Sequence, residues 1–285
     1  MGLSCIRRAR VSCVVAIVAV AAVAALPARA AVTIGQVGDP SLSNCNQGLD
    51  LIQPNLPSGT SFTAPGAGTI TSWSTQSAGP VGQQLTMKMY RKVGEPMVYQ
   101  AVGHAGPQTL TPGGINTFPA SIPVKAGDQL GLHTVTPNTR CAVIPSPGAL
   151  LFVYSGDLAD GTSAAFFFVA EDAALNIQAT FVPDNSFKAG KVKRNTDKGT
   201  ATVTFNLPNA GTLTGSGSGA KVSSASASES KAVQAGTAKL KVKAKGSKLR
   251  TLDQTGKVTL KLKIKYRPTG GDPKTRKLKV KLLKS

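Results

Sequence analysis

Hydrophobic and polar residues alternate along several short stretches of this chain. Residues 257–266, KVTLKLKIKY, have an apolar side chain at every second position, and lysine fills most of the positions between. LTMKMY at residues 85–90 and LNIQATF at residues 175–181 alternate in the same way. A period of two is typical of a β-strand with one buried side and one solvent-facing side. Since no stretch longer than two turns has apolar residues at helical spacing, the pattern predicts an all-β protein.

The segment from residue 31 to residue 184 is rich in turn residues. Its short alternating stretches are separated by GP, PGG, AGD, PSPG and DG, which are sequences that reverse the direction of a backbone. Many short strands separated by such turns predict a β-sandwich of jelly-roll type. In the predicted strand 85–90, Met87 and Met89 face one side, whereas Lys88 and Tyr90 face the other.

The composition changes near residues 183–185, and we place a domain boundary there. Residues 185–285 contain six to seven alternating stretches, which fit an immunoglobulin-like β-sandwich. The Gly- and Ser-rich run at residues 210–230 is interpreted either as a flexible linker or as a loose hairpin at a sheet edge.

The balance of basic and acidic residues changes at the same boundary. Residues 185–285 carry 24 Lys and Arg against 4 Asp and Glu, whereas residues 31–184 carry 5 against 9. The second segment therefore has a net charge of +20, which equals the formal net charge of the full chain. Two units with different surfaces are therefore expected.

The first thirty residues have the features of a signal peptide. A head with three arginines precedes the apolar run at residues 11–26, and Ala28-Arg29-Ala30 is a small-x-small cleavage site. The alternative is an uncleaved N-terminal anchor. No second apolar span follows, so we expect a secreted, extracellular protein, in the finer interpretation associated with the cell envelope. Cys45 and Cys141 are then the only cysteines of the mature chain, and in an oxidising compartment they are expected to form one disulfide.

Residues 185–285 also carry a recognisable series of motifs. These are F-x-x-G-K-V-x-x-N, L-P-x-A-G-T-L-T-G-S-G, G-T-A-x-L-x-V-x-A-K-G and G-K-V-T-L-x-L-x-I-x-Y-x-P-T-G-G. They resemble the C-terminal Ig-like module of exported actinobacterial proteins of unknown function. The resemblance implies a fold and an extracellular setting, and it implies no activity. The first segment, with FTAPGAGTITSW and SIPVKAGDQLGL, is similar to the sandwich domains that accompany such modules.

The residues that could carry catalysis are sparse. His104 lies in a predicted turn and His133 is predicted to be a surface residue, so two distant histidines do not indicate a zinc site. No G-x-S-x-G nucleophile elbow precedes a helix. Carboxylates in the first segment keep one alternative open, a secreted carbohydrate-active enzyme. Asp157 and Asp160 are interpreted as turn residues, with a calcium loop as the alternative. We expect no cofactor, no metal and no enzymatic activity. The carboxylates that could supply a catalytic pair for this alternative enzyme are Asp128, Asp157, Asp160, Glu171, Asp172 and Asp184.

Two aromatic residues are candidates for stacking on a ligand. Trp73, the only tryptophan, is either a core residue or a ligand-facing platform. Tyr90 shares the parity of Lys88 and is therefore predicted on an outer face.

Lysine rows are the strongest chemical feature. If the strands 238–245, 257–266 and 276–283 are neighbours in one sheet, their lysines share one outer face. Such a face is either only solvated or attracts a polyanion. Nucleic acid is a poor partner because no aromatic residues are interleaved with the lysines. We therefore expect a non-catalytic surface or extracellular protein that binds glycan or an anionic envelope polymer. The candidate binding residues are Lys241, Lys243, Lys261, Lys263, Lys265, Lys279, Lys281, Trp73 and Tyr90.

Overall fold

The computed structural model describes residues 31–40, 43–54, 56–57, 60–223, 225–227 and 236–285, and of residues 225–227 it describes the backbone alone. The predicted signal peptide, residues 1–30, lies outside the described residues. The elements in chain order are β1 (Val32–Gln36), β2 (Leu49–Ile52), β3 (Gly68–Ser77), β4 (Gln84–Gly94), β5 (Val98–Thr109), β6 (Gly114–Val124), β7 (Gln129–Thr134), β8 (Ala142–Val143), β9 (Leu150–Ser155), β10 (Ser163–Ala165), β11 (Phe167–Glu171), β12 (Ala174–Leu175), β13 (Ile177–Pro183), β14 (Lys188–Asn195), β15 (Thr200–Asn206), β16 (Gly211–Ser216), β17 (Ala220–Val222), β18 (Ala225–Ala227), β19 (Thr237–Ala244), α1 (Ser247–Thr255), β20 (Lys257–Pro268) and β21 (Lys274–Leu283). The all-β sandwich prediction is confirmed.

Strands β1 to β13 form the first hydrophobic core. A four-stranded sheet has the order β1-β13-β3-β6, and a seven-stranded sheet has the order β10-β5-β4-β7-β2-β9-β11. The core contains the alternate residues of these strands, among them Ile70, Met87, Leu132 and Phe181. The opposite face of the seven-stranded sheet has its own smaller apolar cluster, which includes Tyr90, Leu158 and Phe166.

Strands β14 to β21 enclose a second core. Their two four-stranded sheets have the orders β14-β15-β19-β17 and β18-β16-β20-β21. Alternation decides which side of each strand is buried: in β20, Val258, Leu260, Leu262, Ile264 and Tyr266 face inward and the residues between them are exposed. In the Gly- and Ser-rich run, β18 pairs with β16 at a sheet edge, whereas β17 between them pairs with β19 in the other sheet.

One short helix was not predicted. Helix α1 connects β19 to β20, and of its nine residues only Leu252 is buried. It ends at Gly256, whose φ of 66° is left-handed and whose N–H donates to the Leu252 carbonyl. With so few buried positions, the sequence of α1 has no helical period to recognise. No helix in the described part of the chain is long and apolar enough to cross a membrane.

Two features connect distant segments. Cys45 and Cys141, 96 residues apart, are disulfide-bonded, as predicted. Asn209, in the turn before β16, bonds to the first segment through its side chain: its Oδ1 accepts from the Ala67 N–H at 2.7 Å, and its Nδ2 donates to the carbonyls of Ala67 and Asp184 at 2.8 and 2.9 Å. The Tyr266 hydroxyl donates to the Asn209 carbonyl at 2.7 Å and holds this turn from within the second core.

Candidate functional site

The outer face of β20 and β21 carries a compact group of cations. Antiparallel register places Lys261 directly opposite Lys279, and Lys263 directly opposite Lys277. Directly opposed residues have Cβ atoms about 5 Å apart, and alternate residues of one strand lie about 6–7 Å apart. All four side chains are exposed. We call Lys261, Lys263, Lys277 and Lys279 the lysine square.

Among the described residues, further cations surround the lysine square, and no carboxylate forms an ion pair with it. Lys265 and Lys281 extend the two rows on the same face, opposite Thr275 and Thr259. On the other side of β20, Thr214 of β16 lies opposite Lys265 and Ser216 lies opposite Lys263. The turn 216–218 and the square line a groove of about 960 Å³. In the described part of residues 185–285, the one ion pair joins Lys284 to Asp253, so no lysine of the square has a carboxylate partner there.

The third predicted lysine row is on a different face. Strand β19 pairs with β15 and β17, so Lys239, Lys241 and Lys243 lie in the sheet opposite β20 and β21. Lys221 of β17 lies directly opposite Lys243. The three rows were expected to share one outer face only if their strands were neighbours in one sheet, and this condition is not met because β19 lies in the other sheet. We call Lys221, Lys239, Lys241 and Lys243 the β19 lysine group.

Neither aromatic candidate is available to stack on a ligand. Trp73 is 1 % exposed and packs in the first core against Phe118, with ring centroids 4.9 Å apart. Tyr90 does share a face with Lys88, as its parity predicted, but that face is covered, and Tyr90 is fully buried beside Phe166. The ligand-platform interpretation of Trp73 and the outer-face prediction for Tyr90 are corrected by this burial.

The covered face of the seven-stranded sheet holds a polar cluster that the sequence did not indicate. Its centre is the Lys88 ammonium, which donates to Asp50 Oδ1 and Oδ2 at 3.1 and 3.0 Å, to Asp157 Oδ1 at 2.5 Å and to the Leu158 carbonyl at 2.8 Å. The Lys88 side chain is 3 % exposed and that of Asp50 is 0 % exposed, whereas that of Asp157 is 67 % exposed. We call Asp50, Lys88, His133 and Asp157 the Lys88 cluster.

Three adjacent strands carry Asp50, Lys88 and His133 of the Lys88 cluster, and Asp157 lies in the loop after β9. In the sheet, β7 lies between β4 and β2, and His133 on β7 is the register partner of Asp50. The partner of Lys88 on β7 is Gly131. A Cβ at Gly131 would lie 2.8 Å from the Tyr90 ring, so the glycine leaves room for the side chains that cross this strand.

His133 is a buried member of this cluster. Its Nδ1 lies 2.8 Å from Asp50 Oδ1, and its Nε2 lies 3.9 Å from Asp157 Oδ2. The Leu158 N–H donates to Asp50 Oδ2 at 3.0 Å, so both oxygens of Asp50 have a partner besides Lys88. The prediction that His133 is a surface residue is wrong, because strand parity places it beside Asp50 on a face that residues 156–166 cover.

Charge in the cluster also acts on its neighbours. Burial raises the pKa of Tyr90 well above its ordinary value, and the negative charge of Asp50 raises it further. Partial burial raises the pKa of Asp157, but the hydrogen bond and charge of Lys88 outweigh that effect, so the pKa of Asp157 is lowered and the group is a carboxylate at neutral pH.

The cluster has the donor atoms of a metal site and a cation of its own. Ligand atoms of Asp50, His133 and Asp157 all lie within 4.8 Å of one another. The Lys88 ammonium bonds to both carboxylates and so occupies the position that a metal ion shared by them would take. Beside the cluster, His104 Nδ1 lies 2.9 Å from Asp160 Oδ2, and the lining of a cavity of about 310 Å³ includes His104, Asp157 and Asp160 and no Phe, Tyr or Trp.

Comparisons with known proteins add no assignment. The chain matches no protein-family model, no curated protein and no solved structure. Its function is therefore argued from its own residues.

Proposed function

We propose that this protein is a non-catalytic, exported binding protein whose basic second segment attaches to an anionic polymer or glycan of the cell envelope. The observation that carries this proposal is the lysine square, in which two pairs of like charges are directly opposed and no carboxylate of the described residues pairs with them. Like charges directly opposite on a sheet are destabilising, so an arrangement that keeps them is explained best by an external anion that neutralises them.

The chemistry of the face fits a linear polyanion. A row of ammonium groups at intervals of about 6–7 Å gains by releasing the counterions of a charged polymer, and this gain requires no single defined contact. The hydroxyls of Thr214 and Ser216 beside the square add donors for phosphate or carboxylate oxygens. Aromatic residues for stacking bases do not occur among the described residues on this face of β20, which disfavours nucleic acid.

The disulfide is consistent with the export that the proposal requires, because disulfides persist in oxidising compartments. An exported cation meets phosphodiester and polyuronate polymers at the cell surface. The proposed partner is accordingly a polymer of the envelope, with retention near the cell as the consequence.

The test uses the full chain and two soluble polymers, a polyol phosphate and a polyuronate. Binding is measured at salt concentrations from about 50 to 200 mM, where a contact through many charges loses affinity steeply. Replacing the lysine square by glutamine should lower affinity at least tenfold. It should also reduce the salt dependence of log K by about 0.7–0.9 for each lysine that contacts the polymer.

A matched control removes the same charge from the other face. The β19 lysine group also has four lysines, so its glutamine variant has the same net charge as the variant of the square. The control variant should bind more tightly than the variant of the square. Equal losses in both variants would assign attachment to net charge alone, and affinity that is independent of salt would refute the proposal.

A further inference from the structure

The Lys88 cluster holds an amine and a carboxyl group in an unusual environment. Lys88 and Asp50 are both buried, and the Lys88 Nζ is almost equidistant from the two Asp50 oxygens, at 3.1 and 3.0 Å. An atom so placed lies in the plane that bisects the O–C–O angle, within about 3.5 Å of the carboxyl carbon, and it reaches the attack position by moving above the carboxyl plane. Water has little access to either group.

We propose that Lys88 and Asp50 condense to an intramolecular amide, a covalent cross-link between β4 and β2 that forms after folding. The cluster contains the groups that this condensation needs: a nucleophile, an electrophile, a proton acceptor and donors to the carboxyl oxygens. No reactant other than the two side chains is required, and the only other product is water.

The reaction begins with a proton transfer inside the ion pair. The ammonium of Lys88 loses one proton, the carboxylate of Asp50 gains one, and a neutral amine faces a neutral acid. Asp157, which is 2.5 Å from Nζ, is placed to carry the proton.

The bond-forming step follows from the same contacts. The lone pair of Nζ attacks the Asp50 carbon, and the electron pair of the C=O bond moves to Oδ1, where the His133 ring N–H at 2.8 Å stabilises the developing charge. Nζ then gives a second proton to Asp157, which passes it to the other oxygen. That oxygen leaves as water when its C–O bond breaks, and the C–N bond remains as a neutral amide.

Asp157 suits the role of proton carrier for two reasons. Its Oδ1 lies 2.5 Å from the Lys88 Nζ, which is close enough for direct proton transfer. Its side chain is mostly exposed and lines the cavity of about 310 Å³ together with Lys88, so the released water has a route out of the site.

The chain offers no second pair of this kind among the described residues. The Lys92–Glu95 and Lys284–Asp253 pairs are both solvent-accessible, where an ion pair is well hydrated and condensation gains nothing. Arg91 bonds to Asp128 through a guanidinium, which is a poor nucleophile because it stays protonated.

The experiment is an intact-mass measurement on the folded, reduced full chain. The cross-linked protein should be lighter than its sequence by one water, about 18 Da, since nucleophilic attack by Lys88 expels one oxygen. Trypsin should fail to cut after Lys88, and chymotrypsin, which cuts after Phe62 and Trp73, should give a branched product that contains both residues. Full cleavage after Lys88, with no loss of mass, would refute the proposal.

One other reaction causes the same loss of mass and must be distinguished from the cross-link. Asp160-Gly161 can lose water as a succinimide, which leaves no branch and is reversed by mild alkali. A loss of water that maps to residues 160–161 therefore also counts against the cross-link.

Variants assign the roles of the residues. Lys88→Arg should abolish the loss of mass, whereas Lys92→Arg, on the same strand but in the exposed pair with Glu95, should retain it. Asp157→Asn keeps both reacting groups and should slow cross-linking after refolding by about a hundredfold or more. An unchanged rate in Asp157→Asn would refute the proton-carrier role. Because the wild-type mass and peptide map decide whether the bond exists, the test does not depend on the folding of Lys88→Arg.

Discussion

Removing the lysine square should make the protein more stable, and more so at low salt. The perturbation is replacement of Lys261, Lys263, Lys277 and Lys279 by glutamine, which keeps side-chain length and removes four charges. Two directly opposed pairs about 5 Å apart, two pairs about 6–7 Å apart along the strands and two diagonals each repel by roughly 0.5–0.8 kcal/mol in water without salt. Screening with a Debye length of about 8 Å reduces the total to about 2 kcal/mol at physiological ionic strength, and at 0.01 M it is about 3 kcal/mol.

These values are upper limits because lysine side chains can spread apart, so a gain of about 1–2 kcal/mol is expected at physiological salt. For a unit of about 100 residues, 1 kcal/mol corresponds to a shift in Tm of about 4–8 °C. The assay is calorimetric unfolding of the full chain at low and physiological salt. The matched control replaces the same four lysines by arginine, which keeps the charge and should give no comparable gain. A glutamine variant that is less stable than the parent, or a gain that is equal at both salt concentrations, would refute the electrostatic argument.

Two further predictions concern single bonds. The pair Cys45 and Cys141 should give no thiol labelling in the unreduced, denatured protein, and replacing both by serine should lower the free energy of unfolding by about 4 kcal/mol, since the disulfide closes a loop of about a hundred residues. Burial raises the pKa of Tyr266 to about 12. Because the phenol is held neutral in the folded state, its contribution to the free energy of unfolding is complete below pH 10 and is lost between about pH 10 and 12. Tyr266→Phe should remove this part of the alkaline pH dependence, as measured by denaturant unfolding at several pH values. A variant with the same pH profile as the parent would contradict this prediction.

The sequence was sufficient to predict what depends on local alternation. Strand parity correctly placed Leu260, Leu262 and Ile264 in a core and the lysines between them outside. Parity states which side of a strand is buried, but it does not identify the neighbouring strand. The position of β19 in the opposite sheet was therefore missed.

The Lys88 cluster shows the same limit for a site. Parity correctly put Lys88 and Tyr90 on the face opposite Met87, but it could not show that residues 156–166 cover that face. Asp50, His133 and Asp157 come from three separated segments, and no spacing in the sequence relates them. The signal that could have been used was the charge of Lys88 within LTMKMY, a run whose other residues are apolar except for Thr86, because a buried lysine requires an acidic partner.

Division of the lysines between two opposite faces has a consequence for assembly. The lysine square and the β19 lysine group lie in different sheets of one sandwich, with the hydrophobic core between them. A straight polymer strand that lies along one face leaves the other face free for a second strand. If each face attaches, a monomer is bivalent, and its second attachment to the same network benefits from a high effective concentration. Such a protein would cross-link the polymer network as well as adhere to it, and an excess of protein, by occupying each strand separately, would undo the cross-links.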